Sequence, residues 1–269
     1  MDGTGAQAPV NKTKNGMVYM DVNKLLSLLA PSICRTCGDP GVRGMDLCPP
    51  CYRALPENLI ACPRCAEPMT TRGLLCGRCL ANPPPFARVR APWLYAPPMD
   101  WLIQELKFNG RLASGRLLGQ LLGRRLRKAG VVVDRILPMP LHGTRLRERG
   151  FNQATEIARP VARALGLPLD TRSLLRDRPT ARQASLPLEQ RAGNVAAAFS
   201  ANGALDGLRV AVVDDVVTTT STARAVASAL RKAGAEHVEL WVVSRAGRNL
   251  TGVPLSNHTP AHAWTSGSG

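Results

Sequence analysis

Eight cysteines, grouped into four Cys-x-x-Cys pairs, are the residues whose spacing most directly predicts chemistry in this sequence. All eight lie between Cys34 and Cys79, and shifting the first four by 28 positions reproduces the second four. A Cys-x-x-Cys turn holds two thiolates at the separation that a tetrahedral ion needs, and two such turns complete a four-sulfur zinc site. The predicted metal ligands are Cys34, Cys37, Cys48, Cys51, Cys62, Cys65, Cys76 and Cys79.

The duplicated spacing predicts two structural Zn²⁺ ions, one for each repeat. A cross-braced pairing, in which alternate Cys-x-x-Cys turns share an ion, stays open at this point. A disulfide framework is the weaker alternative because it needs an oxidising compartment. The N-terminus lacks the basic-then-apolar layout of a signal peptide, which predicts a cytoplasmic protein. Since about 60 residues bury too little apolar surface to fold alone, the metal is expected to supply most of this module's folding energy.

A second candidate site follows an apolar segment in the last quarter of the chain. Val210–Val213 lead into Asp214 and Asp215, and five hydroxyl residues then open a helix predicted from Ser221 to Lys232. The carboxyl ends of parallel strands form the usual ligand edge of an open α/β sheet. Hydroxyls and free N–H groups at a helix N-terminus suit a phosphate monoester. Because the two carboxylates can accept hydrogen bonds from a pair of sugar hydroxyls, the segment predicts a ribose 5-phosphate site.

Three other interpretations of this segment carry less support. A response-regulator receiver has a similar Asp pair near the start of a domain of about 120 residues, whereas only 54 residues follow Asp215 here. A Walker B strand requires a G-x-x-x-x-G-K-[ST] loop, which the sequence does not contain. The plainest alternative, a strand-end acid followed by helix-capping threonines, stays open.

The hydrophobic pattern predicts the elements that must position these residues. Two helices are expected between Asp100 and Lys128, with a break at Asn109–Gly110. Further predicted elements are a helix at Asn152–Leu165 and strands at Val89–Tyr95, Val131–Leu137, Leu167–Leu175, Leu208–Val213 and Val238–Val243. Strands that alternate with helices predict an α/β domain, in which a parallel sheet carries flanking helices.

Several short motifs occur in an order that is specific to one family. The motifs are Leu137-Pro-Met-Pro-Leu-His142, Arg149-Gly-Phe-Asn-Gln153, Thr180-x-x-Gln183, Arg191-x-x-Asn194, Phe199 and the Asp214-Asp215 turn. This order of motifs, following an N-terminal cysteine ribbon, resembles that of the competence-associated ComF family. The segment at Asp214 and Asp215 looks like the signature of type I phosphoribosyltransferases. The resemblance covers roughly residues 25–246. It implies a type I phosphoribosyltransferase-like sheet preceded by a small zinc-ribbon module.

The pattern divides the chain into four parts. Residues 1–23 are predicted to be a disordered N-terminal tail, and residues 24–84 the double zinc ribbon. Asn82–Pro85 is interpreted as a linker, because prolines continue neither a helix nor an inner strand. Residues 85–247 are the predicted phosphoribosyltransferase-like domain, and residues 248–269 a disordered C-terminal tail.

The resemblance also implies roles for individual residues. Asp214 and Asp215 would be the catalytic pair, binding the ribose hydroxyls of 5-phosphoribosyl 1-pyrophosphate (PRPP). The implied remainder of the PRPP site comprises Val216, Val217, Thr218, Thr219, Thr220, Ser221, Thr222, Met139, Pro140, Leu141, His142 and Arg182. In it the hydroxyl residues hold the 5-phosphate, and the turn at residues 139–142 approaches the pyrophosphate together with Mg²⁺. A single His beside a turn is more often structural, so no acid or base role is predicted for His142.

Two features of the implied site leave its activity open. Arg182 belongs to an Arg-rich stretch, residues 176–191, that is either a loop closing over the diphosphate or a solvated basic surface. The family turn normally has Gly where this sequence has Thr220. Because Gly permits positive φ and a close backbone approach to phosphate, Thr220 is expected to weaken or reshape the loop.

The charge of the chain predicts a polyanionic partner. The 269 residues carry 35 Lys and Arg against 19 Asp and Glu, a net charge of +16, and residues 100–194 contribute eighteen basic against eight acidic residues. Such a surplus attracts nucleic acid. The family context favours single-stranded DNA and DNA-uptake proteins, with a generally Arg-rich surface as the alternative. Only 4% of residues are aromatic, so DNA binding is expected to depend mainly on phosphates.

The leading hypothesis is therefore a ComF-like protein that binds PRPP or a nucleotide phosphate and handles single-stranded DNA during natural competence. One alternative is an active phosphoribosyltransferase that transfers phosphoribose from PRPP to an unidentified base or amine. Another is a catalytically inactive zinc-ribbon module that binds nucleic acid, which Thr220 favours. No apolar run approaches the roughly 20 residues of a membrane span, so none is predicted.

Overall fold

The computed structural model describes residues 32–177, 198–203 and 205–247. The two predicted tails and Arg182 lie outside these residues, as do residues 178–191 of the Arg-rich stretch. None of the helices in the described ranges combines the length and apolarity needed to cross a bilayer.

From residue 32 to residue 128, the described chain contains two short helices, two short strands and two longer helices. Their bounds are α1 (Pro49–Arg53), α2 (Gly77–Ala81), β1 (Arg88–Arg90), β2 (Trp93–Leu94), α3 (Met99–Asn109) and α4 (Leu112–Lys128). The predicted break between the long helices is confirmed, since Gly110 ends α3 in the left-handed conformation with φ 62°. The strand predicted over Val89–Tyr95 is split, because Pro92 has no N–H for a strand partner.

The C-terminal half alternates strands with helices. Its elements are β3 (Arg135–Pro138), α5 (Gly143–Arg149), α6 (Gln153–Leu165), β4 (Leu174–Arg176), β5 (Phe199–Ala201), β6 (Arg209–Val217), α7 (Ser221–Lys232) and β7 (His237–Arg245). The main sheet has the order β1-β7-β6-β3, with β2 also paired to β7, and every pairing in it is parallel. The predicted parallel sheet with flanking helices is confirmed.

One predicted strand, Leu167–Leu175, is wrong. Leu169 makes a single bridge to Ile136, and β4 pairs antiparallel with β5 in a separate two-stranded sheet. Pro168 offers no N–H to a ladder. The Asp170 carboxylate accepts hydrogen bonds from the N–H groups of Arg172 and Ser173, at 2.9 and 3.0 Å, which turns the chain away from the sheet.

Each zinc ribbon packs on a different face of the sheet. Val210 and Val212 of β6 join the hydrophobic cluster that contains Cys62 and α7. Ala211 and Val213 join the other cluster, which contains Cys34, Leu47 and Leu55 of the first ribbon together with α3, α4 and α6. Because successive residues of a strand face opposite sides, β6 connects the two ribbons through the core.

Three glycines of α4 allow α6 to pack closely against it. A Cβ atom at Gly115, Gly119 or Gly123 would lie 3.1, 2.4 or 2.8 Å from an atom of α6. The glycines recur every fourth residue and therefore form one stripe along α4. This close packing fixes α6, whose N-terminus borders the candidate site described below.

Candidate functional site

The eight cysteines form two separate clusters, one for each sequence repeat. Within each cluster the four sulfur atoms all lie within 4.8 Å of one another, and all eight thiols are free of disulfides. The Cys37 and Cys48 sulfurs are 3.6 Å apart, and those of Cys65 and Cys76 are 3.5 Å apart. Four thiolates around one zinc stand about 3.8 Å from one another. The clusters therefore fit two zinc sites of four cysteines each, and the ligands pair within each repeat rather than across the two.

The surroundings favour a thiolate at one cysteine of each repeat, whereas burial raises the thiol pKa of Cys51 and of Cys79 to about 11 and also raises those of Cys37 and Cys65. Burial opposes ionisation of Cys34, but hydrogen bonds from Thr36 and from backbone N–H groups lower its thiol pKa to about 6. In the second repeat, the Cys76 N–H donates to the Cys62 sulfur at 3.4 Å. Similar backbone donors lower the pKa of Cys62 to about 7 against the effect of burial. Thiolates are the form that binds a metal.

Asp214 and Asp215 lie within β6, which extends four residues beyond its predicted end at Val213. Asp215 is buried, with 3% of its surface exposed, and Lys107 Nζ lies 2.6 Å from its Oδ1. Among the described residues, Asp215 Oδ2 has no hydrogen-bond partner. Asp214 Oδ1 accepts the Asp215 N–H at 2.9 Å. The pair thus offers carboxylate oxygens that can accept further hydrogen bonds.

The surroundings of Asp214 disfavour its charged form. Desolvation and the neighbouring Asp215 carboxylate raise the pKa of Asp214 to about 7, despite the opposing attraction of Lys107 and Arg176. The folded protein therefore holds a proton on Asp214 at pH values where the unfolded chain has lost it. Between the ordinary Asp value and about 7, the contribution of Asp214 to the free energy of unfolding therefore falls as the pH rises.

Replacing Asp214 with Asn is expected to flatten this pH dependence. Asn cannot ionise, so Asp214→Asn should stabilise the ligand-free protein more at pH 8 than at pH 5. Urea denaturation at the two pH values measures the difference. Asp206→Asn, which removes an exposed carboxylate at the opposite end of β6, is the control and should act similarly at both. Equal effects of Asp214→Asn at both pH values would contradict the raised pKa.

The loop after β6 presents its hydroxyls at the start of α7. Thr218 and Thr219 are exposed, and Thr219 Oγ1 lies 2.8 Å from Ser221 Oγ. Thr220 is the N-cap residue, and its side chain makes no capping hydrogen bond to the first turn. Its φ is −81°, so the position does not need the left-handed conformation that favours Gly. In the described loop, Thr220 therefore has a backbone conformation that any residue adopts.

Buried Arg245, at the end of β7, supports this loop from below. Its Nη1 donates to the carbonyl oxygens of Val217, at 2.9 Å, and of Thr218. Its Nη2 donates to Glu67 in the second zinc ribbon. The side chain is fully buried. The sequence analysis did not identify Arg245, although an Arg just after the apolar run at residues 240–243 is a signal, because a buried guanidinium must have partners.

The turn at residues 139–142 lies beside the Asp pair on the neighbouring strand. Pro138 pairs with Val213, and the Met139 N–H donates to the Val213 carbonyl at 2.8 Å. His142 caps α5: its Nδ1 accepts the Thr144 N–H at 3.3 Å. This contact agrees with the structural role expected for His142.

The Arg149-Gly-Phe-Asn-Gln153 motif holds this turn in place. Asn152 caps α6, as its sequence position suggests, because its Oδ1 accepts the Ala154 N–H at 2.9 Å. Its Nδ2 donates to the Met139 carbonyl at 3.0 Å. Gly150 ends α5 with φ 77°, and Arg149 donates to Gln153 at 2.7 Å. The motif therefore has a structural basis that its spacing alone does not reveal.

Two substitutions of Asn152 separate its two roles. Asn152→Ala removes both the cap and the donor to Met139, and should lower the free energy of unfolding by about 2 kcal/mol. Asn152→Asp keeps the capping oxygen and should lose only about 1 kcal/mol. Chemical denaturation measures both values. Equal stabilities of the two variants would argue against the cap, and an Asn152→Asp variant as stable as the wild type would argue against the contact with Met139.

Lys107 is the other residue that sequence analysis did not assign to the site. It was counted with the basic surface, whereas the structure pairs it with Asp215. Its position provided a signal, since it lies one turn after buried Ile103 on the stripe of α3 that faces the core. Within residues 100–177, the basic residues that form ion pairs include Lys107, Arg111, Arg116, Arg125, Arg135 and Arg159.

The chain is similar to known families over most of its length. Residues 25–80 match the double zinc ribbon domain, and residues 152–253 match the phosphoribosyl transferase domain. DNA utilization protein YhgH of Salmonella typhi is 37% identical over 224 residues, which cover 81% of this chain and 99% of that protein. Competence protein F of Haemophilus influenzae is 32% identical over 176 residues, covering 62% of this chain and 77% of that protein.

Among solved structures, the chain is similar to glutamine PRPP amidotransferase from B. subtilis complexed with ADP and GMP, at 25% sequence identity. The match has a TM-score of 0.35 and covers 48% of this chain and 25% of that chain. The family assignment rests on the sequence relatives, which the chain covers almost completely at 37% identity. Both domain matches and the paired cysteine clusters agree with it. The chain therefore belongs to the ComF family, in which a double zinc ribbon precedes a phosphoribosyltransferase domain.

Proposed function

We propose that this protein binds PRPP or a nucleotide phosphate at the carboxyl edge of β3 and β6, and handles single-stranded DNA in the cytoplasm during natural competence. One observation carries the proposal. The Asp pair, the hydroxyl-rich start of α7 and the turn at residues 139–142 meet at the ends of two neighbouring strands. The names of the relatives, DNA utilization protein and competence protein F, support the DNA part.

The ribose half of the ligand suits the Asp pair. Ionised carboxylates only accept hydrogen bonds, and the 2- and 3-hydroxyls of a ribose are two adjacent donors. Asp215 Oδ2 is buried without a partner among the described residues. A ribose hydroxyl would satisfy that atom, and we assign the second hydroxyl to Asp214.

The 5-phosphate suits the start of α7. Helix α7 has twelve residues, and its first N–H groups carry the positive end of the helix dipole. The hydroxyls of Thr218, Thr219, Ser221 and Thr222 add donors around the same position. Arg245 holds the loop carbonyls from beneath, so these donors face the ligand without a large reorganisation.

The diphosphate is assigned to the turn at residues 139–142. Lys107 and Arg176 both act electrostatically on Asp214, so positive charge lies close to this edge. Mg²⁺ prefers oxygen ligands, which Asp214 and Asp215 offer, and when bound with PRPP it would offset the charge of the diphosphate. Asn152 orients the turn through the Met139 carbonyl.

An active transferase is the second candidate, and the backbone of Thr220 favours it. With φ −81°, Thr220 has a conformation that any residue adopts, so the loop forms without Gly at this position. In the transfer, a bond from the acceptor nitrogen to C1 forms, the bond from C1 to the pyrophosphate oxygen breaks, and pyrophosphate leaves with the electron pair. Cations around the diphosphate stabilise that leaving group.

Calorimetric titration of the zinc-loaded full chain with PRPP and Mg²⁺ tests the pocket. We expect saturable heat, and its absence would overturn the proposed ligand. Release of pyrophosphate in the presence of candidate bases or amines separates the transferase from a binding protein. For the DNA part, a labelled single strand should bind less tightly as salt increases. Absent or salt-independent binding would contradict that part alone.

A further inference from the structure

A cationic cleft of about 460 Å³ opens beside the Asp pair, between the end of α3 and helix α5. Its charged and aromatic lining comprises Lys107, Phe108, Arg145, Glu148, Arg149 and Phe151. Three cations therefore face one carboxylate. The cleft also contains two of the four Phe residues of the chain. Both features are concentrated here in a protein that has few aromatic residues.

From this lining we infer that the cleft binds one nucleotide of a single-stranded nucleic acid, with the base against Phe108 and the phosphate at Arg145 and Arg149. The inference rests on the proposed handling of single-stranded DNA and assigns a site to it. Base–aromatic stacking tolerates any base, and Arg recognises phosphate through its planar group of donors. The combination suits binding without sequence preference.

The exposure of the two rings supports this assignment. Phe108 is 75% exposed at the end of α3, so its ring face is available and its role is not core packing. Phe151 is half-buried in the wall. A Cβ atom at Gly110 would lie 3.9 Å from its Cε1 atom, so the chain crosses close to that ring. One exposed and one half-buried aromatic surface border the same space.

Charge distinguishes this ligand from two others. A free nucleobase is uncharged and gives Arg145 and Arg149 no anion to bind, whereas a nucleotide within a strand carries a phosphate. A duplex supplies phosphates, but its bases are stacked on one another and unavailable to Phe108. Only an unpaired nucleotide uses both parts of the lining.

Lys107 places this cleft next to the phosphoribosyl site. The same side chain lines the cleft and approaches Asp215 at 2.6 Å. Arg145 acts electrostatically on Arg176, which in turn acts on Asp214. A strand end bound in the cleft would therefore lie alongside the proposed ribose position.

The test measures fluorescence anisotropy of a labelled oligothymidylate of about twelve nucleotides, using the full zinc-loaded chain. Phe108→Ala should weaken binding by about 5- to 150-fold, the loss of one stacked base, without changing the salt dependence. Arg145→Gln should weaken binding and lower the slope of log affinity against log salt by about 0.7. Arg147→Gln is the matched control, because Arg147 is exposed on the same helix but does not line the cleft.

The outcomes separate this inference from the proposed function. One outcome is that the wild type binds the strand while Phe108→Ala and Arg145→Gln lose no more affinity than Arg147→Gln does. In that case the cleft is not the binding site, and the proposed DNA binding still stands. Competition by duplex equal to that by single strand also overturns the inference. If the wild type binds no strand, both the cleft and the DNA part fail. Calorimetric titration with PRPP then tests the phosphoribosyl site independently. Phe108→Ala should leave the affinity for PRPP unchanged.

Discussion

Replacing Asp214 and Asp215 together with Asn is expected to abolish measurable binding of PRPP while the protein stays folded. Each carboxylate is proposed to accept a ribose hydroxyl, and hydrogen bonds to charged groups contribute about 1.5–3 kcal/mol each. Losing both should weaken binding by at least about 100-fold. Calorimetric titration with PRPP and Mg²⁺ measures the change directly.

Stability provides the internal check on this variant. Desolvation and the repulsion between the two carboxylates raise the pKa of Asp214, which favours its removal at neutral pH, whereas replacing Asp215 breaks the ion pair with Lys107. Urea denaturation must therefore show that the double variant is folded under the conditions of the titration. The matched control is Asp206→Asn with Glu236→Gln, which removes the same charge from exposed positions at the opposite end of β6 and β7. Retained affinity in the Asp214 and Asp215 variant, or equal loss in the control, would contradict the assignment.

Loss of zinc from the second ribbon is expected to unfold the phosphoribosyltransferase domain as well as the ribbon. Cys62, Cys65 and Cys79 belong to the hydrophobic cluster that contains Val210 and Val212 of β6. A structural zinc contributes about 10–16 kcal/mol to the folding of small metal domains. Whole proteins are stable by only about 5–15 kcal/mol, so the zinc contribution matches or exceeds that margin. Cys62→Ser should therefore remove most of the cooperative unfolding transition.

Metal analysis combined with circular dichroism tests this coupling. We expect two zinc ions per chain, and loss of the sheet signal when a chelator removes them. Thr70→Ser, at an exposed position between the ligands of the same ribbon, is the control and should melt as the wild type does. A chelated protein whose sheet melts at the native temperature would show that the domain is independent of its zinc.

The features that sequence predicted are those that depend on local spacing. The cysteine ligands and helix α7 at Ser221–Lys232 agree with the structure, because ligand spacing and helix periodicity act over a few residues. The end of β6 was predicted four residues early, since its extension depends on pairing with β7, where Val217 meets Arg245. No local pattern carries that information.

The charged residues of the site were the hardest to predict. Lys107 and Asp215 are 108 positions apart, and their contact depends on how α3 packs on the sheet. Glu67 and Arg245 are 178 positions apart. Composition counts such residues as surface charge, whereas the fold places them against specific partners. Asn152 was easier, because a helix N-cap is a local feature.

The pairing of β1 with β7 sets an order of events during synthesis. Arg90 of β1 forms an ion pair with Glu239 of β7, 149 positions later. At about 5–20 residues per second, a ribosome needs roughly 7–30 s to make the intervening chain. Both ribbons emerge before the sheet residues that pack with them, such as Val213 with the first ribbon and Val212 with the second. We therefore expect newly made chains to stay accessible to chaperones and proteases until β7 is complete.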